Sequence, residues 1–392
     1  MINHGHTESG DTGLRVAIAI ALLARLGLFV FAMYFPIPNE QGEPVSPLLP
    51  PAYFDYNFYL RSLTRYTSDP AGIVNDFLWF YGSASSRFAH IISGPAFPIV
   101  IGVTGFARGV LLPLALIYLA ASGLLAAAWI YWLRRQGMHA GWLLVFAVLP
   151  QPIWFMLIVS PDLLFAAEFA SFFLAYFAAK QTRATRAIWT LSLTLMVLTR
   201  PNSFSILLFV AAETAWAIIR RRPVTVARVI GTSFLLIASA LYLYPYFLTE
   251  MARAGRVLTY FGHTPAEYLA GIYGLPAWLD VPLSALSLVV AKALYFTGLR
   301  ASYGATSDLL VLARAAGGLV LFPGLLALFV LAPARIKVLI ALYCLPFLLG
   351  PAQDRYYLAV YPILFFYGAT AISVAARSLF TNADNSRRAA AP

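Results

Sequence analysis

Charged side chains are scarce in this sequence. They make up 11% of its 392 residues, whereas hydrophobic side chains make up 61%. A soluble domain carries about 25% charged residues, so this composition is not that of a soluble enzyme. It is typical of a polytopic membrane protein, in which a charge close to lipid is costly and therefore informative. The formal charge of +11 fits anchoring of helix ends and attraction to anionic membrane lipids, and we expect no nucleic-acid partner.

Cysteine and the common cofactor-binding motifs are nearly or wholly missing. Cys344 is the only cysteine, which excludes a disulfide framework and a cysteine metal site. There is no phosphate-binding glycine loop, no GxGxxG, no HExxH and no GxSxG. His90 and His263 are unlinked in the sequence and do not make a metal site. We predict neither a metal nor a cofactor, and a group-transfer donor other than ATP or a soluble nucleotide sugar.

Long apolar runs predict an all-α fold with about ten transmembrane helices, because a helix needs about 20 apolar residues to cross the bilayer core. The predicted spans are 14–35, 107–133, 140–159, 162–179, 187–200, 203–219, 228–248, 314–332, 337–350 and 357–376. We expect these spans to be free of charge apart from Glu168 and Glu213. Clusters of lysine and arginine, such as 180–186, all fall on one side, which is then the cytoplasm.

The chain is predicted to be a single integral-membrane domain over 1–392, with both ends in the cytoplasm and a cytoplasmic tail at 377–392. Two long loops, 36–106 and 249–313, lie on the outer side. The apolar run 282–298 would break the count if it crossed, so we predict an interfacial or re-entrant helix there. Long loops in a compact protein are usually functional.

The stretch PPAYFDYNFYLRSLTRY, residues 50–66, places one acid among aromatic rings in the first outer loop. The rings around Asp55 would half-desolvate it and raise its basicity, while nearby arginines would keep it ionised. That setting suits a general base. The alternative is that Asp55 caps an interfacial helix whose tyrosines lie at the level of the lipid headgroups.

Three short polar turns, SPD (160–162), RPN (200–202) and QDRYY (353–357), face the same outer side. Asp162 is an acid at membrane depth, which makes it a functional candidate, although it could also cap a helix. Arg200 and Arg355 lie on the side that the positive-inside rule disfavours. They could recognise phosphate through forked hydrogen bonds, snorkel to lipid phosphate, or form a weak local ion pair.

Taken together, these stretches resemble the GT-C superfamily of integral-membrane glycosyltransferases. FDYNFYLRSL is similar to the acidic signature of its first outer loop, SGPAFPIVIGV to the entry of the second span, and SPDLLFAAEF to the start of a later helix. LTRPNSF resembles the Arg-x-Asn turn of lipid-linked mannosyltransferases, and QDRYYLAVYPILFF the arginine-aromatic segment near the C-terminal spans. The resemblance extends over about residues 14–376.

The resemblance implies inverting transfer of a hexose, such as mannose, from a polyprenyl-phosphate-linked donor to a lipid- or glycan-linked acceptor. Asp55 would be the catalytic base, and Tyr56, where family members often carry a second acid, argues against a metal. The other implied site residues fall into three groups. They are Arg200, Lys292, Arg300 and Arg355 for the donor phosphate, Asp162 and Asp354 for the acceptor or the base, and Tyr53, Tyr56, Asn202 and Tyr356 for the substrate wall.

Two other functions share parts of this pattern. A flippase or other transporter of lipid-linked oligosaccharides would need polar residues near the midplane of the bilayer, which the expected uncharged spans disfavour. A polymerase or ligase of surface polysaccharide would share the basic outer loops but not the acid of the first loop. For the location, we predict the inner membrane of a bacterium, with the active site on the periplasmic side.

Overall fold

The computed structural model describes 9–38, 44–49, 64, 67–71, 96–103, 111–200, 203–221, 229–231, 233, 259–299, 308–349 and 354–389. Several predicted site residues lie outside these described residues: Asp55, Tyr53, Tyr56, Asn202 and Arg300. Asp354 lies within them by its backbone only. Most of the predicted span 228–248 and of the first long outer loop, 36–106, also falls outside the described part, whereas most of the second loop, 249–313, lies within it.

The described residues are mostly helical. The helices are α1 (Ser9–Tyr34), α2 (Ala96–Val103), α3 (Leu111–Arg135), α4 (Ala140–Val148), α5 (Pro150–Leu157), α6 (Pro161–Tyr176), α7 (Arg183–Thr199), α8 (Ser203–Ile219), α9 (Pro265–Ala270), α10 (Ala277–Phe296), α11 (Asp308–Leu331), α12 (Ala334–Leu349) and α13 (Tyr361–Ala389). A 3-10 helix (Asp354–Ala359) precedes α13. Two short antiparallel strands, β1 (Ile37–Pro38) and β2 (Pro44–Val45), follow α1.

Four described helices are long and apolar enough to cross a membrane, or five if the bent pair α4 and α5 counts as one span. The protein is therefore an all-α membrane protein by the length and composition of its helices, and the figure of about ten spans stays a prediction. Several predicted spans form shorter helices. α6 has 16 residues, and α7 and α8 have 17 each.

α6 is enclosed by its neighbours in the bundle. Its buried side chains lie on all faces, and a helix that is hydrophobic all round is buried by its neighbours. It packs against α7 and the 3-10 helix, and also against α3, α5 and α12. Rings form much of this core, with Phe173 near Trp129 and Trp132 of α3.

The predicted span 140–159 is bent. α4 and α5 meet at an angle of 48°, where Leu149 precedes Pro150 and takes a non-helical ψ of 117°. Proline clashes with a helical residue before it and has no N–H to continue the ladder. The bend therefore has a local cause in the sequence.

α11 and α13 approach each other very closely through two glycines. A Cβ atom added to Gly324 would overlap the carbonyl oxygen of Leu364, and one added to Gly368 would overlap that of Val320. Small residues let the backbones of neighbouring helices pack in membrane proteins. Only glycine therefore fits at these two positions.

The start of the first outer loop folds back onto the bundle. The Ser46 hydroxyl donates to the carbonyl oxygen of Ala32 at 3.1 Å, and the Val159 N–H donates to that of Leu48 at 2.8 Å. Leu48 and Leu49 are buried. The loop thus begins beside the turn that leads into α6.

The helix predicted at 282–298 begins five residues earlier and runs from Ala277 to Phe296. Its 20 residues are enough by length and composition to cross a membrane, so it is longer than the interfacial or re-entrant helix that we predicted. The preceding segment packs on it through Tyr260 and Tyr268, which lie with Tyr295 in a small buried cluster.

Candidate functional site

The three short polar turns predicted on the outer side meet at one end of the bundle. A guanidinium nitrogen of Arg200 lies 2.5 Å from Oδ1 of Asp162, and one of Arg355 lies 3.9 Å from Oδ2 of the same carboxylate. The ring of Tyr356 adjoins both guanidinium groups. We call Asp162, Arg200, Arg355 and Tyr356 the outer cluster, after its predicted side.

Asp162 is held at the first turn of α6 by its neighbours. Ser160 caps the helix by accepting a hydrogen bond from the Asp162 N–H at 3.3 Å, and its hydroxyl donates to Oδ2 of Asp162 at 3.2 Å. Pro161 occupies the first turn, where its missing N–H costs nothing. A carboxylate at a helix N-terminus also interacts favourably with the helix dipole. The Tyr118 hydroxyl fixes the turn from α3 by donating to the Ser160 carbonyl at 2.7 Å.

Arg200 ends α7. Its backbone is extended, with φ −144° and ψ 143°, as expected for a residue before a proline. Its N–H still donates to the Met196 carbonyl at 3.0 Å. The Ser203 hydroxyl, at the start of α8, donates to the Arg200 carbonyl at 2.7 Å. The helices on either side thus fix the backbone of Arg200.

Tyr356 separates the two arginines from the aromatic core. Its ring centroid lies 5.9 Å from Cζ of Arg200 and 5.7 Å from Cζ of Arg355, within the range of cation–π attraction. The Tyr343 hydroxyl donates to the Tyr356 carbonyl at 2.7 Å, and Phe347 stacks on its ring at 5.0 Å. α12 therefore fixes the position of this ring.

The two arginines of the outer cluster differ in how deeply they are buried. Asp162 is 7% exposed and Arg200 is 4% exposed, so they form a buried ion pair. The side chain of Arg355 is 25% exposed. Arg355 thus reaches both the buried carboxylate and the surface, which places a guanidinium where an anion from outside could bind.

Lys292 lies apart from Asp162, on α10. It is 1% exposed, and its ammonium lies 5.7 Å from the ring centroid of Tyr260. One turn later, Phe296 stacks on Phe347 at 5.5 Å, the same ring that packs on Tyr356. α10 thus borders the outer cluster, while the Lys292 ammonium faces the Tyr260 ring.

A second carboxylate–arginine group lies at the opposite end of the bundle. Arg335 donates to both oxygens of Glu213, with the NH2–Oε2 distance at 2.6 Å. The Tyr176 hydroxyl also donates to Oε2, at 2.7 Å. We call these three residues the inner cluster. The hydrogen bonds to Glu213 raise the pKa of Arg335 above its ordinary value. Glu213, one of the two acids expected within the spans, is thus paired with an arginine.

Sequence reasoning missed Arg25, and the expectation of spans free of other charges is wrong. Arg25 lies inside α1 and is 2% exposed. It donates to the Ala21 carbonyl at 3.0 Å and approaches the sulfur of Met156 at 3.7 Å. The arginine within the run LLARLGLF was the available signal, because a charge inside a span is a functional candidate by default.

No group of three or more histidine, cysteine or acidic side chains that could hold a metal occurs among the residues that the structure describes. Comparisons of the chain with protein-family models, with curated proteins and with solved structures find no match.

Proposed function

We propose that the protein is an inverting glycosyltransferase of the membrane. It would move a hexose, such as mannose, from a polyprenyl-phosphate donor to a lipid- or glycan-linked acceptor. The observation that supports this most is the outer cluster, in which one carboxylate is shared by two arginines beside an aromatic ring. We propose further that the chain has about ten spans and lies in a bacterial inner membrane with this cluster on the periplasmic side.

The two arginines suit a leaving phosphate. Guanidinium groups donate forked hydrogen bonds to phosphate oxygens and stay charged at all relevant pH values. When the sugar–phosphate bond breaks, negative charge develops on the lipid phosphate, and fixed cations lower the energy of that state. Arg355, which is partly exposed, would meet the phosphate first, while the buried Arg200 is paired with Asp162. Lys292 and Arg300 are further candidates for this phosphate.

Asp55 is the proposed base. It would take the proton of the acceptor hydroxyl while the oxygen attacks the anomeric carbon and the lipid phosphate leaves. It follows Leu48 by seven positions, and seven such steps of extended chain span about 25 Å at most. Leu48 bonds to Val159 beside the outer cluster. Asp162 is occupied by arginine, so we assign it to orienting the arginines or the acceptor, together with Asp354. The side chains of Tyr53, Tyr56, Asn202 and Tyr356 are proposed to line the substrate.

One observation favours a second candidate, a transporter or flippase of lipid-linked glycans. Arg25 is a buried cation within the first span, and intramembrane charges often mark transport pathways. Such a protein would move a lipid-linked glycan between leaflets without breaking a bond. A polymerase or ligase of surface polysaccharide is an alternative of the transferase kind, which would transfer a longer glycan and would not share the acid of the first loop.

A reconstituted assay separates these functions. Purified protein in vesicles receives a radiolabelled polyprenyl-phosphate hexose and a set of lipid and glycan acceptors, and both transfer and movement of the label between leaflets are measured. We expect transfer by the natural chain and none by Asp55→Asn, with Asp69→Asn as the matched control. Asp69 is an exposed aspartate of the same predicted loop. Full transfer by Asp55→Asn would rule out Asp55 as the catalytic base. Movement of the label between leaflets without sugar transfer would favour the transporter.

A further inference from the structure

Glu168 is a buried acid that the proposed reaction does not use. It lies on α6, six residues after Asp162, and is 6% exposed. Its Oε1 lies 2.9 Å from Oγ of Thr199, the last residue of α7. Within the part of the chain that the structure describes, its Oε2 has no hydrogen-bond partner. The protonation state of this carboxyl group can be read from the geometry around it.

The hydrogen atoms available at Thr199 decide this state. Oγ of Thr199 lies 2.9 Å from the carbonyl oxygen of Leu195 as well as 2.9 Å from Oε1 of Glu168. A hydroxyl carries one hydrogen and can accept two more bonds, whereas a carbonyl oxygen only accepts. A helical threonine commonly donates to the carbonyl four residues earlier. Both contacts are full hydrogen bonds only when Glu168 supplies the second hydrogen.

The surrounding charges agree with a neutral group. A buried carboxylate normally needs a cation or several donors. Among the described residues no lysine, arginine or histidine pairs with Glu168. The arginines near the ends of α6 bind other acids: Arg200 and Arg355 contact Asp162, and Arg335 contacts Glu213.

The hydroxyl groups of three tyrosines that pack with α6 or at its ends donate to acceptors other than Glu168. Tyr343 of α12 donates to the Tyr356 carbonyl, Tyr118 of α3 donates to the Ser160 carbonyl, and Tyr176 at the end of α6 donates to Glu213. None of these three hydroxyls therefore supplies a hydrogen to Glu168. The Thr199 hydroxyl group is the contact that remains.

We propose that Glu168 is a protonated carboxylic acid in the folded protein, and that its O–H donates to Thr199 and thereby positions Arg200 against Asp162. Thr199 and Arg200 are consecutive, so α6 holds the end of α7 through two adjacent side chains. Glu168 is a positioning residue in this scheme and does not touch the substrate. The inference deepens the proposed function, and only its consequence for donor binding rests on that function.

Infrared difference spectroscopy tests the protonation directly. The spectrum of the natural chain minus that of Glu168→Gln, recorded in detergent at neutral pH, is expected to show the C=O stretching band of a protonated carboxylic acid. Glu213→Gln is the matched control and should remove no such band, because Glu213 is held ionised by Arg335. Absence of the band from the Glu168→Gln difference would overturn the proposal.

A second variant keeps the test valid if Glu168→Gln does not fold. Thr199→Val keeps the shape of the side chain and removes its Oγ, so the carboxylic acid band should move to higher frequency. An unmoved band would contradict the bond to Thr199. In the transfer assay, Thr199→Val should raise the donor KM severalfold, while Glu168→Gln, whose amide can still donate to Thr199, should leave it near that of the natural chain. If the carboxylic acid band is present but the natural chain transfers no sugar, the proposed function is wrong and the proposal that Glu168 is protonated still holds.

Discussion

The outer and inner clusters each combine a carboxylate, arginine and tyrosine, but they differ in the number of arginines that contact the carboxylate. In the inner cluster one arginine donates to both oxygens of one glutamate, and a tyrosine hydroxyl adds a third bond. In the outer cluster one aspartate is shared between two arginines, one close at 2.5 Å and one at 3.9 Å. Both clusters join the ends of helices that are distant in the sequence.

This difference separates a structural contact from a candidate binding site. A forked arginine–carboxylate pair is already matched in charge and geometry. The inner cluster links α8, α12 and the end of α6 through these contacts. In the outer cluster two guanidinium groups lie beside one carboxylate and Arg355 is partly exposed, which is the basis for proposing that an anion binds there. We therefore expect substitutions in the inner cluster to affect stability alone, and those in the outer cluster to affect both stability and, under the proposed function, donor binding.

Asp162→Asn is expected to have the largest effect on the fold. It leaves the buried Arg200 without its carboxylate, which costs about 3–5 kcal/mol for a buried pair broken on one side. The measurement is the thermal unfolding midpoint in detergent. The double variant Asp162→Asn with Arg200→Met is expected to recover part of the loss, because the unpaired charge is gone. A change of less than about 1 kcal/mol, the value of a surface pair, would contradict this.

Arg200→Lys tests the arginine fork. An ammonium group keeps the charge but not the planar pair of donors, and a charged hydrogen bond contributes about 1.5–3 kcal/mol. We expect the donor KM in the transfer assay to rise by about 10- to 100-fold, as those energies imply. An unchanged KM would mean that Arg200 serves only to pair with Asp162.

Arg335→Met tests the inner cluster in the same two measurements, stability and donor KM. The Arg335 side chain is 55% exposed, so we expect a loss of stability of about 1 kcal/mol, as for a surface pair. The donor KM should stay unchanged, because the inner cluster does not bind substrate in this account. A rise in KM comparable to that of Arg200→Lys would remove the distinction between the clusters.

Glu267 provides a third case, an exposed carboxylate that is stabilised by Thr264 and not by an arginine. The Thr264 N–H and hydroxyl, and then His263, lower the pKa of Glu267 below its ordinary value of 4.5. Its stabilising contribution is therefore complete above pH 4.5 and is lost as the pH falls through the lower pKa of the folded state. Unfolding midpoints of the natural chain and Glu267→Gln should converge as the pH falls below that value. A constant difference would contradict the capping role of this residue.

Much of the candidate site could be predicted from short turns. The positive-inside rule and the lengths of the apolar runs predicted SPD, RPN and QDRYY on one side, and Asp162, Arg200 and Arg355 do lie close together. The sequence did not show which acid pairs with which base. That depends on how each helix is rotated, and α6 is apolar on nearly every face.

Other features needed the packed structure. The bend at Pro150 and the close approach of Gly324 to α13 follow from local chemistry that the apolar runs conceal. The partner of Glu213 is Arg335, 122 positions away, which no spacing rule predicts. The prediction for Asp55 as the base falls outside the described residues and stays a prediction.

Binding of a polyprenyl phosphate without sugar tests the central claim most directly. Equilibrium affinities are measured in detergent for the natural chain, for Arg355→Lys in the outer cluster and for Arg335→Lys in the inner one. We predict that Arg355→Lys weakens binding by about 10-fold or more, the value of one charged hydrogen bond, and that Arg335→Lys leaves it unchanged. Equal affinities for all three proteins would contradict the assignment of phosphate binding to the outer cluster.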